Sequence, residues 1–471
     1  IMGYKKLIYD QEISGKPNSA KIALWNAEIF KLERLLEAHL EQIRKNYPAY
    51  YARKYEGKGI DIGSLQNALT PDESIIEYTF TDSTLYVFIL NHQGLKIMRQ
   101  RPKPSLYTAV PKFLTAIQSG LTIDASSQFQ TFTRHASLFY DVLIKPYRNF
   151  LKCHKLIVIP EGILSHLPFE AFLSQKVEGK IPEYRNLPYL MNNYCIRYAY
   201  VATNLLIPEK KNVKNDKVAA FAPVVFRSNS HVPSQMNLYP DSLPELPYSL
   251  EETRKVVRMT GGDLFERENA SEASFKKMSS DYKIIHLATH TWIDTLNPFF
   301  SKFVMYNQPD SIEDNLISMY EITNLNLQSS LVVLNSCNSG IGNTMSGEGV
   351  FNLARGFFYA GVPAVMATLW EVDDNIGSDI VQRFYKKLMK GVPADEALWE
   401  SRKEYLQQSD RLKAHPYFWS PYAFIGQSKV IEIKNPARWY RLMLLATGII
   451  TLAGLLLGIM RYNRKRINRA V

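Results

Sequence analysis

Residues Leu331–Gly340 read LVVLNSCNSG, four apolar residues followed by a cysteine set among Asn, Ser and Gly. An apolar run this short, bounded by turn-forming residues, predicts a strand buried on both faces. The chain around it alternates as a helix-covered parallel sheet requires. KVAAFAP (217–223), KIIHLATH (283–290), AVMATLW (364–370) and PYAFIG (421–426) are further short apolar strands. Between them the spacing predicts helices around 249–260, over GEGVFNLARGFFYAG (347–361), from 375 to 390 and from 394 to 407. In such sheets ligands bind beyond the carboxyl ends of the strands.

Two of those ends carry reactive side chains, His290 closing KIIHLATH and Cys337 closing LVVLNSC. If the two strands are neighbours, imidazole and thiol meet at one edge. A thiol with a pKa near ~8.5 is a weak nucleophile at neutral pH, and an imidazole that takes its proton leaves a thiolate able to attack a carbonyl carbon. The alternative is that Cys337 is a small buried hydrophobe. His286 shares the alternation of His290 but stops short of the strand end, so it reads as a core group with its hydrogen bonds satisfied.

Other chemistries fit less well. The stretch GIGNTMSGEG (340–349) sits where a phosphate-cradling turn would, yet it has neither G-x-G-x-x-G nor a closing G-K-[ST]. No serine stands in a G-x-S-x-G elbow. The three cysteines, Cys153, Cys195 and Cys337, are odd in number and lack CxxC spacing, so neither a disulfide framework nor a zinc site is indicated.

Ahead of this unit, SIIEYTF, TLYVFIL and LKIM (74–98) are separated by short polar turns and predict an antiparallel meander. Helical segments near 104–120 and 135–152 follow, then the strand KLIVIP (155–160), then EGILSHLPFEAFL (161–173) as a loop and helix. Ile22, Trp25, Ile29, Leu32, Leu36, Leu40 and Ile43 recur at steps of three and four, which predicts a helix over 19–46, closed by Pro48, with one apolar seam. The seam demands a partner helix, either within the chain or in a helical array preceding it.

With 56 Lys+Arg against 45 Asp+Glu the chain carries a formal +11, and placement decides what that charge serves. Arg461, Arg464, Lys465, Arg466 and Arg469 follow LMLLATGIITLAGLLLGIM (442–460), which holds no charged side chain. About 20 such residues span a hydrocarbon core of ~30 Å, and Trp439, Tyr440 and Tyr462 flank the segment as interfacial aromatics do. The expectation is a single-pass membrane protein with a transmembrane helix over 439–461 and a basic tail over 462–471. The cation partner is then the membrane surface, and no nucleic acid is expected. Basic residues on both flanks leave the side of the large domain open.

Taken together, HLATH, LNSCNSG, GEGVFNLARGFFYAGVPAVMATLWEVDD, HPYFWSPYAFIG and, earlier, IPEGILSHLPFEAFL resemble the CHAT domain, a caspase-like cysteine peptidase domain related to separase. His290 and Cys337 lie 47 positions apart, close to the ~50 of caspase-type peptidases. The resemblance implies an α/β fold with a caspase-like parallel sheet flanked by helices. It divides the chain into an end of a helical-repeat array over 1–68, of the tetratricopeptide kind, a first, non-catalytic half over 69–200 and a catalytic half over 201–430. With the anchor read from 442–460, the expectation is a membrane-anchored endopeptidase; the resemblance implies that it uses no cofactor and takes a protein substrate or regulatory protein as partner.

Carried over by position, Cys337 is the nucleophile, His290 the base, and the backbone N–H groups of Cys337 and Thr291 the oxyanion donors. Members usually have Gly after the catalytic His, and a β-branched Thr291 resists a positive φ, which keeps open an inactive interaction scaffold. Glu371, Asp373 and Asp374 in LWEVDD imply an acidic pocket and cleavage after a basic residue, while Asp374 alone also serves as a helix cap. His415 and Trp419 read as packing groups near the last strand.

Overall fold

The computed structural model describes residues 1–13, 17–46, 61–81, 84–101, 105–119, 124–208, 213–226, 243–294, 297–307, 313–335, 343–345, 349–370, 374–433, 447–448, 451, 453–455 and 457–458. Its strands, in chain order, are β1 (Glu73–Phe80), β2 (Leu85–Asn91), β3 (Gly94–Gln100), β4 (Lys155–Ile159), β5 (Cys195–Tyr198), β6 (Asn215–Ala222), β7 (Asp263–Glu266) and β8 (Tyr282–Leu287). There follow β9 (Thr291–Trp292), β10 (Lys302–Val304), β11 (Leu316–Ser318), β12 (Leu331–Leu334), β13 (Asn343–Met345), β14 (Gly349–Phe351), β15 (Ala364–Thr368) and β16 (Tyr422–Gly426).

Among the described residues eleven strands make one sheet, in the order β3-β2-β1-β4-β5-β16-β15-β12-β8-β6-β7. The meander β1–β3 is antiparallel, as its alternating pattern demands. The fully buried strands β12 and β15 lie at the centre of the catalytic half and run parallel to each other and to β8 and β6. PYAFIG departs from the all-parallel expectation, since β16 pairs antiparallel with β15 and parallel with β5 at Ile425 and Tyr198. This strand returns the sheet to the first half, so the two halves share one continuous sheet.

Buried ion pairs reinforce that seam. Arg402, on the helix Ala394–Gln408, meets Glu170 at 2.8 Å, and Arg197 on β5 meets Glu73 at 2.7 Å and Asp395 at 3.4 Å. The helices Pro247–Thr260 and Asp374–Leu388 cover the sheet face to which His286 points, whereas Phe221 packs edge-to-face on Phe275 of the helix Glu272–Met278 on the other. His415 and Trp419 are buried, His415 capping the short helix Pro416–Trp419 through Nδ1 and packing on Tyr184.

Several elements differ from the sequence expectation. In place of a loop and one helix, EGILSHLPFEAFL forms two short 3-10 helices, Gly162–His166 and Phe169–Ala171. The second helix of the first half runs Ala125–Leu143 rather than 135–152, because Asp124 caps its start and Phe129, Phe132, Ala136, Phe139 and Leu143 bury one face. Its end falls before Pro146, which has no N–H to continue it. Among the described residues of GEGVFNLARGFFYAG, Leu353–Tyr359 alone is helical, since Asn352 caps it and Gly349–Phe351 pairs with Asn343–Met345. The strand KIIHLATH stops at Leu287, so His290 lies outside it.

The helix Ser19–Asn46 finds its partner within the chain: Met2–Ile13 packs on it, with Ile29 buried and Lys5 paired to Glu33. Pro48 lies outside the described residues. So does most of the apolar segment 442–460, whose described residues are helical. Among the described residues no helix is long and apolar enough to cross a membrane.

Candidate active site

The site grows from the parallel register of β8 and β12. Leu331 pairs with Ile284 and Leu334 with Leu287, and the backbone N–H of Asn335 still reaches the Leu287 carbonyl at 3.1 Å. In the chain His290 comes three residues after Leu287, and Cys337 three after Leu334. Cys337 itself lies outside the described residues.

His290 is held by backbone contacts at its carbonyl and at its ring. Its carbonyl accepts from Val304 N–H at 3.0 Å, while Thr289 Oγ1 donates to the Val304 carbonyl. Thr291 then enters β9 opposite Phe303 of β10, folding the chain back immediately. The half-buried imidazole packs on Phe226, ring centroids 4.7 Å apart, and its Nε2 lies 2.8 Å from the Pro244 carbonyl oxygen. A carbonyl only accepts, so Nε2 carries a hydrogen and the neutral ring keeps its basic lone pair on Nδ1.

Thr291 is extended and strand-paired, and it is not among the described non-glycine residues of positive φ, which are Val224, Arg267 and Asn315. Its branched side chain therefore sits in the conformation it favours. Glu371 and Asp373 lie outside the described residues. Asp374 is the first residue of its helix, one position inside the cap that the sequence pattern assigns to it, with a backbone at the positive end of the helix dipole.

Two residues stand out only in three dimensions. Asn335, directly after β12, donates from its amide nitrogen to both carboxylate oxygens of Glu252, on the helix Pro247–Thr260, at 2.9 and 2.8 Å, and Glu252 also meets buried His286 at 3.0 Å. His286 thus has the satisfied core environment its position in the strand implies. Glu252 stands four residues before buried Val256, a spacing that puts it on the buried helix face, but nothing local marks its partner.

As for metal ligands, the carboxylates of Glu272, Glu313 and Glu321 converge, and the Lys276 ammonium bridges them at 2.7, 2.8 and 2.9 Å. The chain supplies its own cation there.

Residues 133–427 match the family model for the CHAT domain. The chain belongs to the CHAT domain family. This CHAT chain resembles solved structures of separase in the Saccharomyces cerevisiae separase–securin complex, at 9% identity and a TM-score of 0.49, over 77% of this chain and 30% of separase. The Arg-specific cysteine proteinase gingipain R is similar at 7% identity and a TM-score of 0.35, over 70% of this chain and 75% of that one. The structure of the Porphyromonas gingivalis RgpB pro- and mature domains matches at 7% identity and a TM-score of 0.35, over 69% of this chain and 76% of its own. The chain thus spans less than a third of the separase chain. No curated protein matches it.

Proposed function

We propose that this CHAT chain is a membrane-anchored cysteine endopeptidase with Cys337 as nucleophile and His290 as base. The observation that carries this reading is the β8–β12 register, which gives the two residues equal offsets from one shared rung. His290 Nδ1 takes the Cys337 thiol proton, and the thiolate bonds to the scissile carbonyl carbon. The C–N bond breaks, and the amine leaves with the proton that His290 returns. Water then hydrolyses the thioester, releasing the acid and the free thiol.

Backbone N–H groups of Cys337 and Thr291 are the proposed oxyanion donors. Glu371, Asp373 and Asp374 follow β15, the neighbour of β12, and their charge suits an Arg or Lys before the scissile bond. A protein substrate or regulatory protein is the expected partner, and the chemistry needs no cofactor. The anchor is the 442–460 segment, where Leu455 and Leu457 are exposed and Thr451 Oγ1 bonds back to the Thr447 carbonyl at 2.9 Å, as a hydroxyl in hydrocarbon must. A second reading, a scaffold without turnover, is favoured by Thr291 in place of glycine.

The test is cleavage of a mixed peptide library by the full chain in detergent, beside Cys337→Ala. Cuts after Arg or Lys that vanish in the variant are the expected result. Silence from the wild type and from Thr291→Gly alike would overturn the peptidase in favour of the scaffold. Flotation with lipid vesicles tests the anchor, and the double change Leu455→Arg, Leu457→Arg is expected to abolish it.

A further inference from the structure

Behind His290 lies a buried polar cluster that the proposed chemistry does not use. Glu252 is 1% exposed; both its carboxylate oxygens accept from Asn335 Nδ2, and Oε1 also accepts from His286 Nε2. His286 Nδ1 lies 3.2 Å from the hydroxyl of Tyr385, on the helix Asp374–Leu388. Burial pushes the Tyr385 hydroxyl well above its ordinary pKa, so it keeps its proton for that bond. Tyr422 on β16 reaches Asn335 Oδ1 at 3.4 Å.

Stability alone gives little reason for this arrangement, because buried charged clusters are often replaced by apolar residues without loss. Direction is what it supplies. A carboxylate only accepts, so the Asn335 amide must turn its nitrogen toward Glu252 and its Oδ1 away, which fixes the orientation of Asn335, and Cys337 follows two residues later in the chain. The helix that carries Glu252 is led in by Pro244, whose carbonyl holds His290. A single segment, 244–252, thus grips both approaches to the dyad.

We infer that Glu252 is a positioning residue, which through Asn335 fixes the point from which the chain runs on to Cys337, and hence the geometry of the thiol toward His290. This rests on the dyad proposed above.

The experiment follows alkylation of Cys337 by iodoacetamide in the full chain in detergent, from pH 5 to 9, read on its own peptide by mass spectrometry, together with kcat and KM. Glu252→Gln and Asn335→Ala are expected to slow labelling at pH 6 about tenfold and to move its pH midpoint up toward that of an ordinary thiol. In these variants kcat falls and KM holds. Tyr385→Phe removes a bond of the same cluster without touching Asn335, and its labelling is expected to match the wild type. Asn335→Ser keeps the test readable if a Glu252 variant fails to fold.

An unchanged profile in folded Glu252→Gln would overturn the inference, as would an equal loss in Tyr385→Phe, which would mark the cluster as structural. Failure of the dyad itself looks different: wild-type Cys337 would then label as an ordinary thiol, with no change in His290→Ala.

Discussion

His290 Nε2 donates to the Pro244 carbonyl oxygen across 2.8 Å, a bond that decides which ring nitrogen does chemistry. Pro244 leads into the helix Pro247–Thr260, and Leu246 N–H is in turn tied to the Val224 carbonyl at 3.1 Å. The imidazole is therefore oriented by a main-chain acceptor that has no side chain to mutate and no charge to titrate. What can be changed is the ring against which it rests.

Phe226→Ala deletes that ring from the small cluster it forms with Val304 and Leu316. The lost burial and the cavity cost about 3–5 kcal/mol of stability. With His290 free to tilt, kcat is expected to fall about 10- to 100-fold with KM little changed. Kinetics at a temperature where the variant remains folded check this, and an unchanged kcat would show that the Pro244 bond suffices by itself.

Most of the α/β alternation was legible because it rests on local pattern: an apolar run of four to six residues, then a break. The direction of β16 was not, because PYAFIG has the same run whether it pairs parallel or antiparallel, and its pairing with β5 is a contact across more than two hundred residues. Glu252 and Asn335 were hidden for a related reason. A buried carboxylate and its amide partner lie 83 residues apart, and neither is distinctive until the sheet brings them together.

The imidazole of His415 makes stability depend on pH. It is 1% exposed, and burial pushes its pKa down from 6.5 to about 4. Between those values the unfolded chain binds a proton that the native state refuses, so stability is full above pH 6.5 and declines as the pH falls toward 4. The loss approaches about 3 kcal/mol. His415→Asn keeps an acceptor for the Tyr417 N–H that His415 Nδ1 caps at 3.1 Å, but it does not titrate. Urea midpoints measured across this window are expected to lose the His415 share of their slope in that variant.

At the seam between halves, Arg402 and Glu170 are each 1% exposed at the side chain. Tyr198 hydroxyl also donates to Glu170, and Arg402 to the Tyr422 carbonyl. Glu170→Ala leaves a buried guanidinium without its carboxylate and costs about 3–5 kcal/mol. The double change Glu170→Leu, Arg402→Met removes both charges and is expected to recover more than half of that in equilibrium denaturation. Additive losses would mean that the two side chains act independently, against the geometry.

The helix Met2–Ile13 meets the strand-and-loop segment that follows His290. Tyr9 donates to Asp294 and packs on Phe300 with ring centroids 4.9 Å apart, and Lys6 pairs with Asp314 at 2.7 Å. Asp294 also caps its own turn, accepting from Asn297 N–H at 2.8 Å, so the helix touches a segment already braced from within. Tyr9→Phe removes one bond to a charged acceptor, a change of about 1.5–3 kcal/mol in local stability. Amide hydrogen exchange over Met2–Ile13 is expected to speed up about 10- to 100-fold, while β8 and β12 keep their protection because they draw it from the buried sheet. Faster exchange in β8 as well would show that the N-terminal helix supports the strand leading to His290. Unchanged exchange in both would mean that the apolar contact with Phe300 holds the helix without the hydroxyl.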